Sequence, residues 1–233
     1  MSKKLSQLEA GNNPVSRAST LPKDIEAIRN EITRFFSTKD TSGRSIGSAK
    51  HGVYAFYDYE EEPIYVGQTF EKLSVRIRRH LTNWRTDAVA MNVLDPLEVA
   101  YIEVWPLDDL VENLAKEAMK AVLARAEYTV FEKVLKESTL AAVLNEKSIA
   151  PQDEITLPIS YKQRIIPDSI YARLGHPDIR IARRATTIAS LARVISERHV
   201  SPGLRRTLVI QARRLESLAS QRAEDLGVPP DFE

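Results

Sequence analysis

The 233-residue chain contains no cysteine, which excludes thiol catalysis, disulfide bonds and cysteine-ligated zinc or iron–sulfur sites. No run approaches the roughly 18 consecutive apolar residues that a membrane span requires, and the polar start of the chain lacks the apolar core of a signal peptide. Apolar residues nevertheless make up 43% of the chain, which is enough for a packed core. We therefore expect a cytoplasmic protein of one or two globular domains, without membrane association.

The net charge of +1 conceals two blocks of opposite sign. Residues 86–155 carry 14 acidic and 6 basic side chains, whereas residues 161–222 carry 13 basic and 4 acidic ones. A basic block of this kind indicates a surface that faces an anion, while the acidic block would face solvent or a metal. The alternative is that both blocks are ordinary solvated helix faces, or that they pack on each other.

Hydrophobic periodicity divides the N-terminal part of the chain into three predicted pieces. Residues 1–22 are polar and are expected to form a disordered tail. Residues 23–50 are expected to form a helix followed by a linker rich in serine, threonine and glycine. The runs 51–57 and 63–67 favour β-structure, and the acidic turn between them predicts a hairpin.

The remainder of the chain predicts an α+β domain and a helical C-terminal region. A helix over 71–84, a strand over 98–105 and a long helix over 108–137 complete a three-stranded antiparallel sheet flanked by helices, in a domain spanning 51–150. Residues 151–233 form a basic region that begins irregularly. Two antiparallel helices end it, over 179–198 and 204–226.

The predicted hairpin holds the two short motifs Gly52-Val53-Tyr54 and Tyr65-Val66-Gly67. With an even number of residues in the turn, Tyr54 and Tyr65 lie directly opposite each other on one face of the sheet. An odd number would put them on opposite faces. A pair of tyrosines on one face is usually a packing contact, so the motifs gain weight only from their neighbours.

The following helix adds two charged or titratable side chains near the hairpin. Arg76 and His80 are spaced i, i+4 and share a face that is distinct from the apolar stripe. That stripe consists of Leu73, Ile77, Leu81 and Trp84. Because the helix starts a few residues after Gly67, it must pack close to the hairpin.

Glu127 is the one carboxylate of the long helix whose position needs an explanation. Its neighbours at helical spacing are apolar, namely Leu123, Ala124, Val130, Phe131 and Val134. An acidic residue on such a face is costly unless it binds a cation or an arginine. The sequence therefore indicates a metal ligand or an internal glutamate–arginine pair.

In this order and spacing, the motifs resemble the GIY-YIG nuclease family, in particular its restriction-endonuclease members. The resemblance covers residues 50–151 and includes Leu73-x-x-Arg76-x-x-x-His80, then Glu127 and Asn145. Valine replaces the usual isoleucine in both short motifs. The segments before and after Glu127 are longer than is usual in the family.

The resemblance implies a role for each of these residues. Tyr54 would be a general base or would orient water, supported by a hydrogen bond from Tyr65. Arg76 would neutralise the scissile phosphate, and Glu127 would hold a divalent metal, Mg²⁺ or Mn²⁺. His80 matches a histidine that some restriction enzymes place near the nucleophile, and Asn145 matches an asparagine that closes the site.

The chemistry of phosphodiester cleavage agrees with these residue types. Charge develops on the phosphate oxygens, so a fixed guanidinium and a divalent ion provide the stabilisation that is needed. One carboxylate with water and phosphate oxygens suits Mg²⁺ or Mn²⁺. A free tyrosine has a pKa of about 10, so Tyr54 either has its pKa lowered by nearby cations or only orients a metal-activated water.

The basic C-terminal region suggests a DNA-binding surface. Arginine grips phosphates with a fork of donors and binds DNA without regard to sequence. The predicted DNA-binding residues are Arg79 on the motif-bearing helix and the pairs Arg183 and Arg184, Arg205 and Arg206, and Arg213 and Arg214. An ordinary charged surface or a dimer contact is the alternative.

Together these features predict a metal-dependent endonuclease that cleaves double-stranded DNA in restriction or phage defence. A nuclease for branched, damaged or single-stranded DNA in repair or recombination would use the same site. A DNA-binding protein of this fold without catalysis is the second alternative. One active site cuts one strand per visit, so double-strand cleavage would require a homodimer or rebinding.

Overall fold

The computed structural model describes residues 21–82, 93–145 and 147–228. The tail predicted over 1–22 lies outside this part of the chain, except that its last two residues begin the first helix. Trp84, predicted to complete the buried stripe of its helix, also lies outside the described residues.

Four strands and several helices make up the described structure. The strands are β1 (Gly52–Tyr57), β2 (Pro63–Thr69), β3 (Tyr101–Pro106) and β4 (Tyr161–Arg164). The helices are α1 (Leu21–Ser37), α2 (Leu73–Thr82), α3 (Asp108–Val111), α4 (Lys116–Glu137), α5 (Asp168–Leu174), α6 (Pro177–Glu197) and α7 (Pro202–Asp225). Among these described helices, none is long and apolar enough to cross a membrane.

The strands form one antiparallel sheet in the order β2-β1-β3-β4. The α+β class is therefore correct, but the prediction of three strands is wrong. The fourth strand is only four residues long, and all its side chains are polar or aromatic, so it has no apolar alternation to reveal it. It also lies beyond the boundary predicted at residue 150.

The sheet separates two buried clusters. On one face, Tyr54 and Phe56 of β1 pack with α1, α2 and parts of the C-terminal region, and Ile32 and Ile77 are fully buried there. On the other face, Val53, Ala55 and Tyr57 pack against α4. Because side chains alternate along a strand, β1 supplies both clusters, and it is the central strand of the site described below.

The β1–β2 turn sets the relative positions of the two tyrosine motifs. The ladder pairs Tyr54 with Gly67 and Phe56 with Tyr65, and a bulge follows between Phe56 and Tyr57. Tyr54 and Tyr65 therefore lie on one face, diagonally rather than directly opposite, because the bulge offsets the odd number of residues in the turn 58–62. The register is shifted by two residues, which preserves the face of each side chain.

The long helix predicted over 108–137 is interrupted. Helix α3 ends at Val111, and α4 begins at Lys116. The Asp108 carboxylate accepts hydrogen bonds from the backbone amides of Lys50 and His51, 2.8–3.1 Å away, so it ties the start of β1 to the end of β3. The predicted pair of C-terminal helices is confirmed as α6 and α7, which the Ser201 cap separates.

Candidate active site

Tyr54 is fully buried on β1 and contacts Arg76 of helix α2. Arg76 Nε donates a hydrogen bond to the Tyr54 hydroxyl at 3.3 Å. The rings of Tyr54 and Tyr65 lie 6.1 Å apart, centroid to centroid. Three residues from three elements thus meet, as the spacing of the two motifs and the helix predicts.

Gly67 makes room for this arrangement. A Cβ atom at residue 67 would lie 2.7 Å from the Tyr54 hydroxyl oxygen and 2.8 Å from Cε1 of Tyr65. Real Cβ atoms do not tolerate such distances, so only glycine allows both phenols to cross β2 here. The last residue of the second motif is therefore explained by the space that the two rings occupy.

His80 lies against the same aromatic rings. Its ring centroid is 5.9 Å from that of Tyr54 and 5.7 Å from that of Tyr65, and Phe56 is 6.3 Å away. Arg76 and His80 are half-buried, whereas Leu73 and Ile77 on the neighbouring face are fully buried. The helix thus separates its core face from the face turned to the tyrosines.

Burial controls the charge state of the two phenols. Desolvation raises the pKa of Tyr54 above its usual value, although the Arg76 guanidinium and a hydrogen bond from Tyr65 act in the opposite direction. The pKa of Tyr65 is also raised, first by burial and then by the charge of neighbouring Tyr54. Both side chains are therefore neutral phenols near pH 7 in this structure.

Glu127 projects from α4 toward the edge strand β2. Its Oε2 accepts a hydrogen bond from Nε2 of Gln68 at 3.0 Å. Burial raises the pKa of Glu127, and the hydrogen bonds from Gln68 partly offset this rise. The Glu127 charge also raises the pKa values of Tyr54 and Tyr65, so it lies within electrostatic range of both phenols.

The surroundings of Glu127 fit a divalent cation. Within the described ranges the hydrogen-bond partner of Glu127 is Gln68 and it forms no ion pair, so the predicted alternative of an internal glutamate–arginine pair is not found there. The same ranges contain no group of three or more histidine, aspartate or glutamate side chains that could hold a metal. A half-buried carboxylate without a cationic partner gains from binding one, and a lone carboxylate suits an ion that keeps most of its water.

Asn145 closes the outer edge of β2 rather than contacting the phenols directly. Its Nδ2 donates to the Val66 carbonyl at 2.7 Å, and its Oδ1 accepts from the Val66 amide at 3.1 Å. The amide of Leu144 donates to the Ile64 carbonyl at 2.7 Å. Edge backbone groups next to Tyr65 are thereby satisfied, which fixes the strand that contains it.

Several arginines expected to bind DNA occupy a buried ion-pair cluster, which we define as Arg180, Arg183, Arg184 and Arg214 with Asp58 and Glu98. Arg184 Nη2 and Arg214 Nη2 lie 3.0 and 2.6 Å from Oδ2 of Asp58. Arg184 Nε donates to Glu98 at 2.9 Å, and Arg183 also pairs with Glu98.

The DNA-binding prediction is therefore wrong for Arg183, Arg184 and Arg214 in this structure. Arg184 and Arg214 are buried, and Arg183 is largely covered, so none of the three is available to a phosphate. The cause is that Asp58 and Glu98 are distant in sequence and reach the C-terminal helices only after folding. Arg79 is paired with Glu71.

Three of the remaining arginines, Arg205, Arg206 and Arg213, are exposed on α7. Arg206 Nη1 donates to Ser148 Oγ at 2.8 Å. Ser148 is three residues past Asn145, which lies against β2. Arg206 therefore contacts a residue that lies close in sequence to the asparagine bound to β2.

Sequence reasoning missed Gln68 at this site. The residue directly follows the Tyr65-Val66-Gly67 motif, and its pairing with Val53 places it on the face of β2 that α4 covers. A polar side chain at a strand position facing an apolar helix was the available signal. Its contact with Glu127 depends on tertiary structure and was not visible from spacing.

Comparison with known families agrees with the motifs. The model of the GIY-YIG catalytic domain matches residues 50–137, which include both tyrosine motifs, Arg76, His80 and Glu127. No curated protein and no solved structure matches the chain. The resemblance stated from the sequence is thus confirmed over this segment, which is similar to the GIY-YIG catalytic domain.

Proposed function

We propose that the protein is a metal-dependent endonuclease that hydrolyses phosphodiester bonds of double-stranded DNA in restriction or phage defence. The observation that supports this most directly is the contact between Arg76 and the buried Tyr54 hydroxyl. Glu127, a half-buried carboxylate with no cationic partner among the described residues, lies within electrostatic range of Tyr54. A guanidinium, a phenol and a metal-binding carboxylate are the groups that phosphodiester hydrolysis needs.

Arg76 is placed to bind the scissile phosphate. Among its hydrogen bonds to the described residues, it uses Nε for Tyr54, which leaves its two terminal nitrogens for phosphate oxygens. The guanidinium would balance the negative charge that develops on those oxygens. Because Nε is anchored, the group is oriented before the substrate binds, so little reorganisation is needed during the reaction.

Glu127 would hold the divalent cation. When bound, Mg²⁺ or Mn²⁺ would polarise the phosphate and lower the pKa of a coordinated water. Gln68 occupies one carboxylate oxygen of Glu127, so the other oxygen is left for the ion. The position of Glu127 on helix α4 keeps the carboxylate beside Gln68 of the edge strand β2.

Tyr54 acts in this proposal as a neutral phenol that orients water, with Tyr65 holding it by a hydrogen bond. Burial favours the protonated form of Tyr54, which supports orientation of water over general-base catalysis. His80, against both rings, is the side chain that we place nearest the nucleophile. Histidine is the residue most often used for proton transfer at neutral pH.

DNA would contact the exposed arginines of α7, namely Arg205, Arg206 and Arg213. Such contacts bind phosphates without reading sequence, and the affinity should fall steeply with salt. Cleavage of both strands would be completed by a second copy of the chain, so we include a homodimer in the proposal. The absence of cysteine is compatible with the cytoplasmic location expected of such an enzyme.

The test is digestion of a sequenced plasmid with the purified protein in Mg²⁺ or Mn²⁺, followed by mapping of the ends. We expect nicked or linear product, and we expect Glu127→Ala to abolish it. Glu117→Ala, an exposed carboxylate on the same helix, is the matched control and should cleave normally. If Glu127→Ala cleaves as well as the parent, the metal assignment is wrong.

The ends also separate the competing functions. Discrete ends on long duplex DNA support a restriction enzyme, whereas cleavage only at forks or flaps supports a repair or recombination nuclease. Binding in a gel shift without cleavage in any divalent metal would refute the catalytic proposal.

A further inference from the structure

The side-chain amide of Gln68, beside Glu127, has one atom with a hydrogen-bond partner and one without a partner among the described residues. Its Nε2 donates to Glu127 Oε2 at 3.0 Å, while its Oε1 is buried and has no hydrogen-bond partner among the described residues. Burying an amide oxygen without a donor is unfavourable, so this position calls for a partner.

The position of Gln68 in the fold restricts what that partner can be. The residue lies on β2, on the face covered by α4, one residue after the glycine that the phenols contact. On this face, its amide contacts the carboxylate of Glu127. Because Nε2 and Oε1 belong to the same amide group, a donor that reaches Oε1 lies close to the Glu127 carboxylate.

We infer that Gln68 is a positioning residue for the divalent cation: its Nε2 fixes the Glu127 carboxylate and its Oε1 accepts a hydrogen bond from water bound to the cation. This inference rests on the proposed function. Outer-shell partners of this kind orient the ligand that binds the metal directly, and their loss weakens metal affinity about ten- to a hundredfold. A structural role, in which Gln68 only helps to hold α4 on β2, predicts no change in metal affinity.

Titration with Mn²⁺, followed by its electron paramagnetic resonance signal, separates the two roles. We expect Gln68→Met, which keeps the length of the side chain but removes both polar atoms, to weaken Mn²⁺ binding at least about tenfold. Gln163→Met on β4, at the opposite edge of the sheet, is the matched control and should bind as the wild type does. Circular dichroism confirms that each variant is folded.

A second variant keeps the inference testable if Gln68→Met does not fold. Gln68→Asn keeps both polar atoms of the amide but withdraws them from Glu127 by one methylene group. Because neither atom then reaches its partner, we expect Mn²⁺ binding to weaken by about tenfold, as for Gln68→Met. Unchanged affinity in a folded Gln68→Asn variant would refute the role of Gln68.

Glu127→Gln distinguishes failure of this inference from failure of the proposed function. If Glu127→Gln abolishes Mn²⁺ binding and Gln68→Met leaves it within twofold of the wild type, the role of Gln68 is refuted while the metal site stands. If Glu127→Gln binds Mn²⁺ as tightly as the wild type, both proposals fail, because Gln68 acts through Glu127. In a cleavage assay, Gln68→Met should raise the Mn²⁺ concentration that gives the half-maximal rate. The fold-change in that concentration should exceed the fold-change in the rate at saturating Mn²⁺.

Discussion

Removal of the Asp58 carboxylate should destabilise the protein more than any surface substitution. Asp58 is 2% exposed, and its Oδ2 is shared by Arg184 and Arg214, with Arg180 Nη2 at 3.5 Å. Asp58→Ala would leave these guanidinium groups buried with one acceptor fewer. Breaking a buried pair by deleting one partner costs about 3–5 kcal/mol.

The other oxygen of Asp58 adds to this loss. Oδ1 accepts from the backbone amides of Glu60 and Glu62 at 3.1 and 3.0 Å, which shapes the β1–β2 turn. Asp58→Asn keeps that acceptor and removes the charge, so we expect a smaller loss than for Asp58→Ala. Asp109→Ala is the control, because that carboxylate is 67% exposed and solvent screens its pair with Arg44.

Urea unfolding followed by circular dichroism gives the free energy of unfolding for all three variants. The expected order of loss is Asp58→Ala, then Asp58→Asn, then Asp109→Ala. An Asp58→Ala variant within about 1 kcal/mol of the wild type would refute the view that this carboxylate holds the C-terminal helices to the hairpin. Faster amide exchange throughout α6 and α7 in Asp58→Ala would locate the loss in their docking.

Two further predictions concern the buried tyrosines of the β1–β2 hairpin. Gly67→Ala should lower the cleavage rate about a hundredfold, since the new methyl group displaces the Tyr54 hydroxyl. The control is Gly227→Ala, at φ 69° in open space, which should leave the cleavage rate unchanged. A normal cleavage rate in Gly67→Ala would contradict the proposed geometry. Burial raises the pKa values of Tyr54, Tyr57, Tyr59 and Tyr65, so the folded state holds protons that the unfolded state loses above pH about 10. The contribution of these residues to the free energy of unfolding should therefore be constant below pH about 10 and fall above it. Urea unfolding at several alkaline pH values measures this change, and a stability that rises above pH about 10 would contradict the prediction.

Local pattern was sufficient to predict much of the fold. Helices α1, α2, α6 and α7 follow from apolar spacing and caps, and the hairpin follows from its β-prone arms. The β1–β2 register was harder to predict, because the turn from Asp58 to Glu62 uses side-chain hydrogen bonds and a residue with left-handed backbone, Glu61 at φ 58°. Neither feature has a recognisable signature in the residues of the turn.

Long-range contacts account for what could not be predicted. Strand β4 depends on pairing with β3 and on Lys162, whose Nζ lies 3.9 Å from the centre of the Tyr57 ring. The contact of Gln68 with Glu127 depends on the packing of α4 against β2. Arg183, Arg184 and Arg214 were predicted to bind DNA because their carboxylate partners lie more than 80 residues away in the sequence.

The buried ion-pair cluster gives the C-terminal helices a part in building the active site. Arg214 Nη2 binds Asp58 in the turn, and Arg214 Nη1 donates to the Pro63 carbonyl at the start of β2, 2.8 Å away. One side chain of α7 therefore contacts both the turn and the strand that follows it. Since the turn sets the β1–β2 register, and the register places Tyr54 against Gly67, the same arginine constrains the phenols. Residues 50–137 include the tyrosines, Arg76 and Glu127 of the proposed function, but their arrangement depends on α7. We therefore expect an isolated 50–137 fragment to lose the β1–β2 register even where its strands form.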